Sequence, residues 1–353
     1  MPSSSISVNN PKIDGLPSHF KLTKKSILED TEFELVFIEQ GVRYQYGFCC
    51  NANRFTEEWL IAYPNGRAQK WFHRVYDSNN STDTYKFSST FLGGRQRQTT
   101  ALQTRSNALY LSTAVQLNNA QLMPVFNWFK NKLRVVSSSH LLSDSYTKRM
   151  CEDEEEKLKV IQFMNSADLN IADIQLKKEV FSPQLLPKIL SVEVKNKVSH
   201  ELFGKELTTL RYIHQLTDEE GTIEFEENEE SDGTRTLFTL AGPWLDVIKN
   251  ERVLVVDELD SSLHPLLVHY LIKTLHMANS HAQLIFTTHD STLLSQKLLR
   301  RDQVWFTEKD EKNSTQLFPL SDFSPRENEA IEKGYLVGRY GGIPFLKDVD
   351  FDG

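Results

Sequence analysis

Between residues 253 and 288 the chain reads strand, helix, strand, and this unit constrains the fold more than any other stretch. Val253-Leu254-Val255-Val256 is a bare aliphatic run of strand length. Pro265 to Ala278 follows, with Leu267, Leu271 and Leu275 on one helical face and Pro at a first-turn position, where its missing N–H costs nothing. Gln283 to Thr288 is a second apolar run. Two strands joined through a helix are expected to lie parallel in an α/β sheet. Ligands of open parallel sheets bind beyond the carboxyl ends of the strands. At those ends stand Asp257-Glu258 and Thr287-Thr288-His289-Asp290.

Adjacent carboxylates after an aliphatic strand suit nucleotide hydrolysis. Asp257 is the candidate Mg²⁺ ligand, because a hard cation takes oxygen donors. Glu258 is the candidate that orients and deprotonates the attacking water. His289, arriving at the same edge one crossover later, is a candidate donor to a γ-phosphate. A merely capped strand end is the competing reading. Upstream, Glu230-Ser231-Asp232-Gly233-Thr234-Arg235 opens a helix striped by Leu237, Leu240, Ala241, Trp244, Leu245 and Ile248. Ser231 or Asp232 can cap it, Gly233 permits close backbone approach, and free N–H groups at a helix start bind phosphate. A plain N-cap after the acidic stretch Glu224–Glu230 would look the same.

The 353 residues allow two or three compact units. Residues 1–20 are rich in Ser, Asn and Pro and are expected to be mobile. Residues 21–136 are expected to form an N-terminal lobe. In it Phe33, Leu35 and Phe37, then Val42, Tyr44, Tyr46 and Phe48, then Trp59, Ile61 and Tyr63 recur at period two between Gly-, Asn- and Pro-containing turns, which indicates an antiparallel meander. Leu122, Val125, Phe126, Phe129 and Leu133 switch to helical spacing. Residues 137–215 read as a mostly helical insertion, with Glu152–Lys157 as a solvated helix face. Residues 216–353 form the lobe that carries the chemistry.

Charge and composition narrow the choice of partners. Forty basic residues against 48 acidic ones give −8, which leaves a nucleic-acid partner unsupported by charge. The longest clean aliphatic run, Val253–Val256, is far short of the ~20 residues of a membrane span. No basic-then-apolar leader follows Met1, and three cysteines make neither a disulfide framework nor a zinc site. A reduced, cytoplasmic protein with no membrane partner is the expectation.

Taken together, Glu-Ser-Asp-Gly-Thr-Arg at 230–235, Val-Leu-Val-Val-Asp-Glu-Leu-Asp-Ser-Ser-Leu-His-Pro at 253–265 and Thr-Thr-His-Asp at 287–290 resemble the ABC-type ATPases of the RecF, SMC and OLD clan. More narrowly, the chain resembles the stand-alone "AAA-type core domain" ATPases of prokaryotic antiphage and abortive-infection systems. The resemblance extends to Val42–Phe48 with Glu58-Trp59-Leu60, to Asn107–Ser112, and to Gly338-Arg339-Tyr340-Gly341-Gly342-Ile343-Pro344. It implies an α/β fold with a mixed sheet, an antiparallel β meander and a helical insertion. It also implies ATP and Mg²⁺ as ligands. By the resemblance, Ser231 and Gly233 match the signature motif, which touches the γ-phosphate of ATP held by a partner protomer. Asp257 and Glu258 match the Walker B pair, and His289 the switch histidine. Ser261 to His264 match the D-loop, with His264 where many relatives have Asp, and Gln116 takes the place of the Q-loop glutamine. A signature helix acting across an interface implies a head-to-tail dimer. The family setting implies a sensor or motor that gates an effector such as a nuclease. The alternatives are a RecF- or SMC-like DNA-repair ATPase, which wants the heptad run this sequence lacks, and a noncatalytic interaction module.

One motif is missing. The sequence contains no G-x-x-x-x-G-K-[ST]; Gly204-Lys205 is followed by Glu206, and Gly93-Gly94-Arg95 lacks the Lys. That loop supplies backbone N–H donors to the β-phosphate, a Lys charge and a hydroxyl for Mg²⁺. Three explanations stand open: a fragment or truncated gene, a split protein whose loop comes from another chain, or a member that no longer binds ATP.

Overall fold

The computed structural model describes residues 13, 20–136, 143–180, 206–218, 220–295, 298–326 and 329–344. Almost all of the segment expected to be mobile, 1–20, lies outside that set. The chain gathers into two units, one of Met1–Leu133, Val304–Ser324 and Tyr340–Gly353, the other of Arg134–Gln303 and Pro325–Arg339.

In the first unit, the aromatic alternation becomes an antiparallel sheet in sequence order: β1 (Thr31–Glu39), β2 (Val42–Cys50), β3 (Phe55–Tyr63), β4 (Gln69–Asp77) and β5 (Thr82–Phe87). Gln40 and Gly41 both take positive φ, 50° and 74°, as a two-residue hairpin loop requires. Phe37, Tyr44, Tyr46, Leu60, Ala62 and Phe72 are buried. The helices α1 (Gly94–Gln103), α2 (Tyr110–Gln116) and α3 (Met123–Asn127) follow. The helical stripe expected over 122–133 is shorter than its period suggests. Beyond α3 the chain makes one π turn, Trp128–Lys132, and Leu133 already begins β6 (Leu133–Val136). The β-branched Val135-Val136 pair favours an extended chain, and β10, described below, gives it a strand to pair with.

A buried ionic group fastens the start of α2 to the sheet. Glu58 and Arg74 are both 0% exposed. Glu58 accepts the backbone N–H groups of Tyr110 at 2.6 Å and Leu111 at 3.0 Å, and the Tyr46 hydroxyl at 3.0 Å. It thereby satisfies donors that no helical carbonyl can reach. Arg74 lies 4.0 Å from Glu58 and donates to Asp83 at 3.0 Å and to the carbonyls of Ala108 and Arg105 at 2.7 and 3.2 Å.

The second unit opens with α4 (Ser145–Met150) and α5 (Glu154–Asn165). The acidic run is the first turn of α5, capped by Asp153, whose side chain accepts the Glu156 N–H; carboxylates there favour the helix dipole. The next segment departs from expectation. Within 165–215, read above as mostly helical, β7 (Ile171–Val180) and β8 (Glu206–Gln215) are strands, joined by β9 (Thr222–Glu226) in an antiparallel sheet. The alternation is hidden by a register shift between Ile171 and Asp173, and only Ile174, Leu210, Tyr212 and their neighbours face the core. Residues 181–205 lie outside the described set. Then come α6 (Asp232–Lys249), β10 (Val253–Val256), α7 (Pro265–Met277), β11 (Gln283–Phe286) and α8 (Ile331–Leu336). The expected crossover holds: β10 and β11 pair in parallel, within a sheet ordered β11-β10-β6. Leu237, Leu240, Ala241 and Trp244 of α6 pack with Leu254, Val256, Val268 and Leu271 in one core. β12 (Trp305–Lys309) and β13 (Thr315–Pro319) form a hairpin of the first unit.

Helix α6 contains Pro243, which lacks the N–H that would reach the carbonyl of Thr239. Thr147 of α4 fills the gap. Its hydroxyl donates to Thr239 O at 3.2 Å and accepts the Gly242 N–H at 3.0 Å. A Cβ on Gly242 would fall 2.6 Å from that hydroxyl, so only glycine admits the approach. Thr147→Val should therefore destabilise by about 1–3 kcal/mol, and by less in a Pro243→Ala background that restores the helical donor, as read from a double-mutant cycle in urea.

Glu58→Ala should cost about 3–5 kcal/mol, because it strands buried groups. Burial raises the Glu58 pKa above its ordinary 4.5, outweighing the Arg74 charge and the three hydrogen bonds that lower it. Between 4.5 and the raised value the folded state keeps a proton that the unfolded state has lost, so this group's contribution falls as pH rises. Glu58→Gln has no such term, and its stability deficit should shrink as urea midpoints are taken at pH values climbing from 4.5.

Candidate functional site at the carboxyl edge of the parallel strands

The parallel register runs from Val253 opposite Gln283 to Val256 opposite Phe286. One residue further, Asp257 and Thr287 emerge at the same level. The ladder continues into the loops: Thr287 N–H donates to Val256 O at 3.0 Å, Leu259 N–H to Thr287 O at 3.0 Å, and Asp257 N–H to Val136 O at 2.9 Å. Backbone pairing therefore fixes where both strand ends stop.

Thr287 then ties the two ends together through its side chain. Its hydroxyl donates to Asp257 Oδ1 at 2.6 Å and accepts the Glu258 N–H at 2.8 Å. Glu258 has φ 53°, a left-handed conformation that a non-glycine residue holds only when its surroundings fix it. The same turn is closed by Ser261 N–H on Glu258 O at 3.0 Å and by Leu263 N–H on Asp260 O at 3.0 Å. His289 is drawn in by its backbone, whose N–H lies 3.3 Å from Asp260 Oδ1. Asp257, Glu258 and His289 are all exposed. The two strand ends thus present three polar side chains to solvent from one edge.

The start of α6 lies against this turn. Ser231 caps α6 by accepting the Thr234 N–H at 3.1 Å. A Cβ on Gly233 would stand 3.8 Å from the Ser262 carbonyl, which places the helix start beside the loop after Glu258. Ser261 is half-buried in that loop. His264 caps α7 by accepting the Leu266 N–H at 3.3 Å, a structural role for the residue at the end of the turn. Gln116 belongs to the first unit, exposed at the last position of α2.

Two contributors escaped the sequence reading. Thr287 and Asp260 bear the contacts that order the turn, and neither stands out by spacing. The available signal was a hydroxyl residue at the first position past a strand, level with a carboxylate on its neighbour.

Oxygen donors suit Mg²⁺, which takes one or two carboxylates and fills its octahedron with water and phosphate. Asp257 keeps one oxygen outside the Thr287 bond. Among the described residues no group of three or more His, Cys, Asp or Glu side chains could hold a metal ion by itself. The donor set therefore fits a metal shared with a phosphate ligand. Among the described residues no helix is long and apolar enough to cross a membrane.

Residues 154–295 match the family described as "AAA domain, putative AbiEii toxin, Type IV TA system". No curated protein matches the sequence. Among solved structures, an SMC head domain from Thermotoga maritima aligns over 79% of this chain and 74% of its own, at 11% identity and TM-score 0.32. A structure of the recombination mediator protein RecF with ATP aligns over 71% and 76%, at 12% identity and TM-score 0.19.

Thr287→Val should lower stability by about 1 kcal/mol in urea, while Thr287→Ser, which keeps the hydroxyl, should stay near the parent.

Proposed function

We propose that this chain, whose residues 154–295 match a family described as an AAA domain, is an ATPase of the ABC, RecF and SMC type that binds and hydrolyses Mg²⁺-ATP at the carboxyl edge of β10 and β11. Asp257 holds the metal, Glu258 orients and deprotonates the attacking water, and His289 donates to the γ-phosphate. Bound Mg²⁺ supplies charge neutralisation on the phosphates. Ser231 and Gly233, at the positive end of α6, serve the γ-phosphate of a second protomer in a head-to-tail dimer, with Ser261 in an accessory contact. The observation that most supports this reading is the Thr287 bridge, which holds the metal-side carboxylate and the backbone of the base-side residue in one fixed arrangement. Preorganised groups of this kind are what phosphoryl transfer needs. The toxin description of the matching family favours a sensor or motor in a prokaryotic defence system, gating an effector such as a nuclease in the cytoplasm.

A second reading is favoured by one observation. With no Gly-rich phosphate loop in the sequence, a noncatalytic interaction module that keeps the fold remains the rival.

Calorimetric titration of the full chain with Mg²⁺-ATP, together with phosphate release, separates the two. The ATPase reading expects metal-dependent binding that Asp257→Asn weakens about tenfold or more. It also expects Glu258→Gln to keep that binding and lower release by about 10²–10⁴-fold. A chain that binds no ATP with or without Mg²⁺ overturns it in favour of the module.

A further inference from the structure

The two margins of the five-stranded sheet differ. β5 is six residues long, and its exposed positions are Thr82, Thr84 and Lys86. β1 is nine residues long, pairs with β2 in an unbroken register, and contains no Pro, Gly or Lys. Among the described residues no strand pairs with its outer edge. Three of its five apolar side chains are open to solvent: Leu35 at 43%, Val36 at 58% and Ile38 at 68%. Sheet edges are usually shortened, bulged or charged with Lys to prevent pairing. β5 is short and carries Lys86, whereas β1 is long and unbulged and carries its charge only as Glu32, Glu34 and Glu39.

We infer that the outer edge of β1 is the pairing surface for β1 of a second copy of this chain, joined antiparallel about a two-fold axis at Leu35. The strand's own sequence selects this partner. In that register Leu35 faces Leu35 of the second copy, Phe33 faces Phe37, Glu34 faces Val36, Glu32 faces Ile38 and Thr31 faces Glu39. All nine residues pair, inner-face residues stay with inner-face residues, and no carboxylate meets another. A parallel in-register pairing would set Glu32, Glu34 and Glu39 each against its own copy, and like charges directly opposite are unfavourable. An antiparallel register centred on Glu34 would place Glu34 against itself. Shifting by one residue would turn the core face of one sheet to the solvent side of the other. Glu34 is already held on the outer face by Trp59 Nε1–H at 2.8 Å and the Gln45 amide at 2.9 Å, so its charge stands ready beside Val36 of the second copy. The contact needs no nucleotide and does not rest on the ATPase reading.

The register gives the test a signature that a generic apolar patch lacks. Light scattering and sedimentation of the full chain, without nucleotide, should show a concentration-dependent dimer. Val36→Glu puts a carboxylate against Glu34 of the second copy, twice per dimer, and should weaken the dimer about tenfold or more. Val36→Lys puts an ammonium there and should leave it within about threefold of the parent. Ile38→Glu and Ile38→Lys should repeat the contrast against Glu32. These positions are exposed, and thermal melts of each variant confirm that the fold is kept. A monomeric parent, a dimer indifferent to Val36→Glu, or equal loss from the Glu and Lys variants would each overturn the inference.

Discussion

Four backbone pairs between β10 and β11 set the level at which Asp257 and Thr287 leave the sheet. Parallel pairing is directional, so both strands deliver their carboxyl ends to one edge, and the helix between them has to return the chain to the opposite one. The core under that edge supports the register: Leu254 and Val256 pack with Leu237, Trp244 and Leu271. Because successive side chains alternate, slipping one strand by a residue would both expose its buried positions and part Thr287 from Asp257. The turn after Val256 therefore inherits its geometry from apolar packing beneath it. A hydroxyl that donates to one carboxylate and accepts from the next backbone amide then converts a shared level into a fixed arrangement.

The first unit meets a different problem, a helix start buried under a sheet. Glu58 answers it by accepting two amide N–H groups and a phenol, at the cost of a desolvated charge that Arg74 partly offsets. Buried ion pairs add little net stability over apolar replacements, but removing one member is expensive. Glu58 and Arg74 thus fix where α2 meets the sheet more than they strengthen it. Thr147 does comparable work in the second unit, supplying to α6 the bond that Pro243 cannot. In both cases a polar group serves a defect in backbone pairing that the local sequence creates and a distant residue repairs.

Legibility followed the strength of the local pattern. The aromatic meander and the strand-helix-strand unit were readable because one face of each is buried, so periods of two and 3.6 survive in the sequence. Segment 165–215 was not. β7 is interrupted by a register shift near Ala172 and carries Lys177, paired with Glu224, next to the exposed Lys178, so its alternation is diluted. Leu133 was assigned to a helix because it keeps the stripe of α3, yet the sheet beside β10 claimed it. At the site, Asp257, Glu258, Ser231 and His289 were readable as residue types at strand and helix ends. Thr287 and Asp260 were not, because their importance lies in what stands across from them.

By itself, the sequence determined the class of the meander and of the strand-helix-strand unit, the helix starts near Ser231 and at Pro265, and the acidic and imidazole groups at two strand ends, since these depend on neighbours within a few residues. It also determined that no Gly-rich phosphate loop is encoded among these residues. Only the tertiary structure decided that β10 and β11 share a register, that a threonine joins their ends, and that Glu58 and Thr147 serve helices 52 and 95 residues away. Those are long-range pairings, chosen by packing between segments whose separate sequences carry no record of each other.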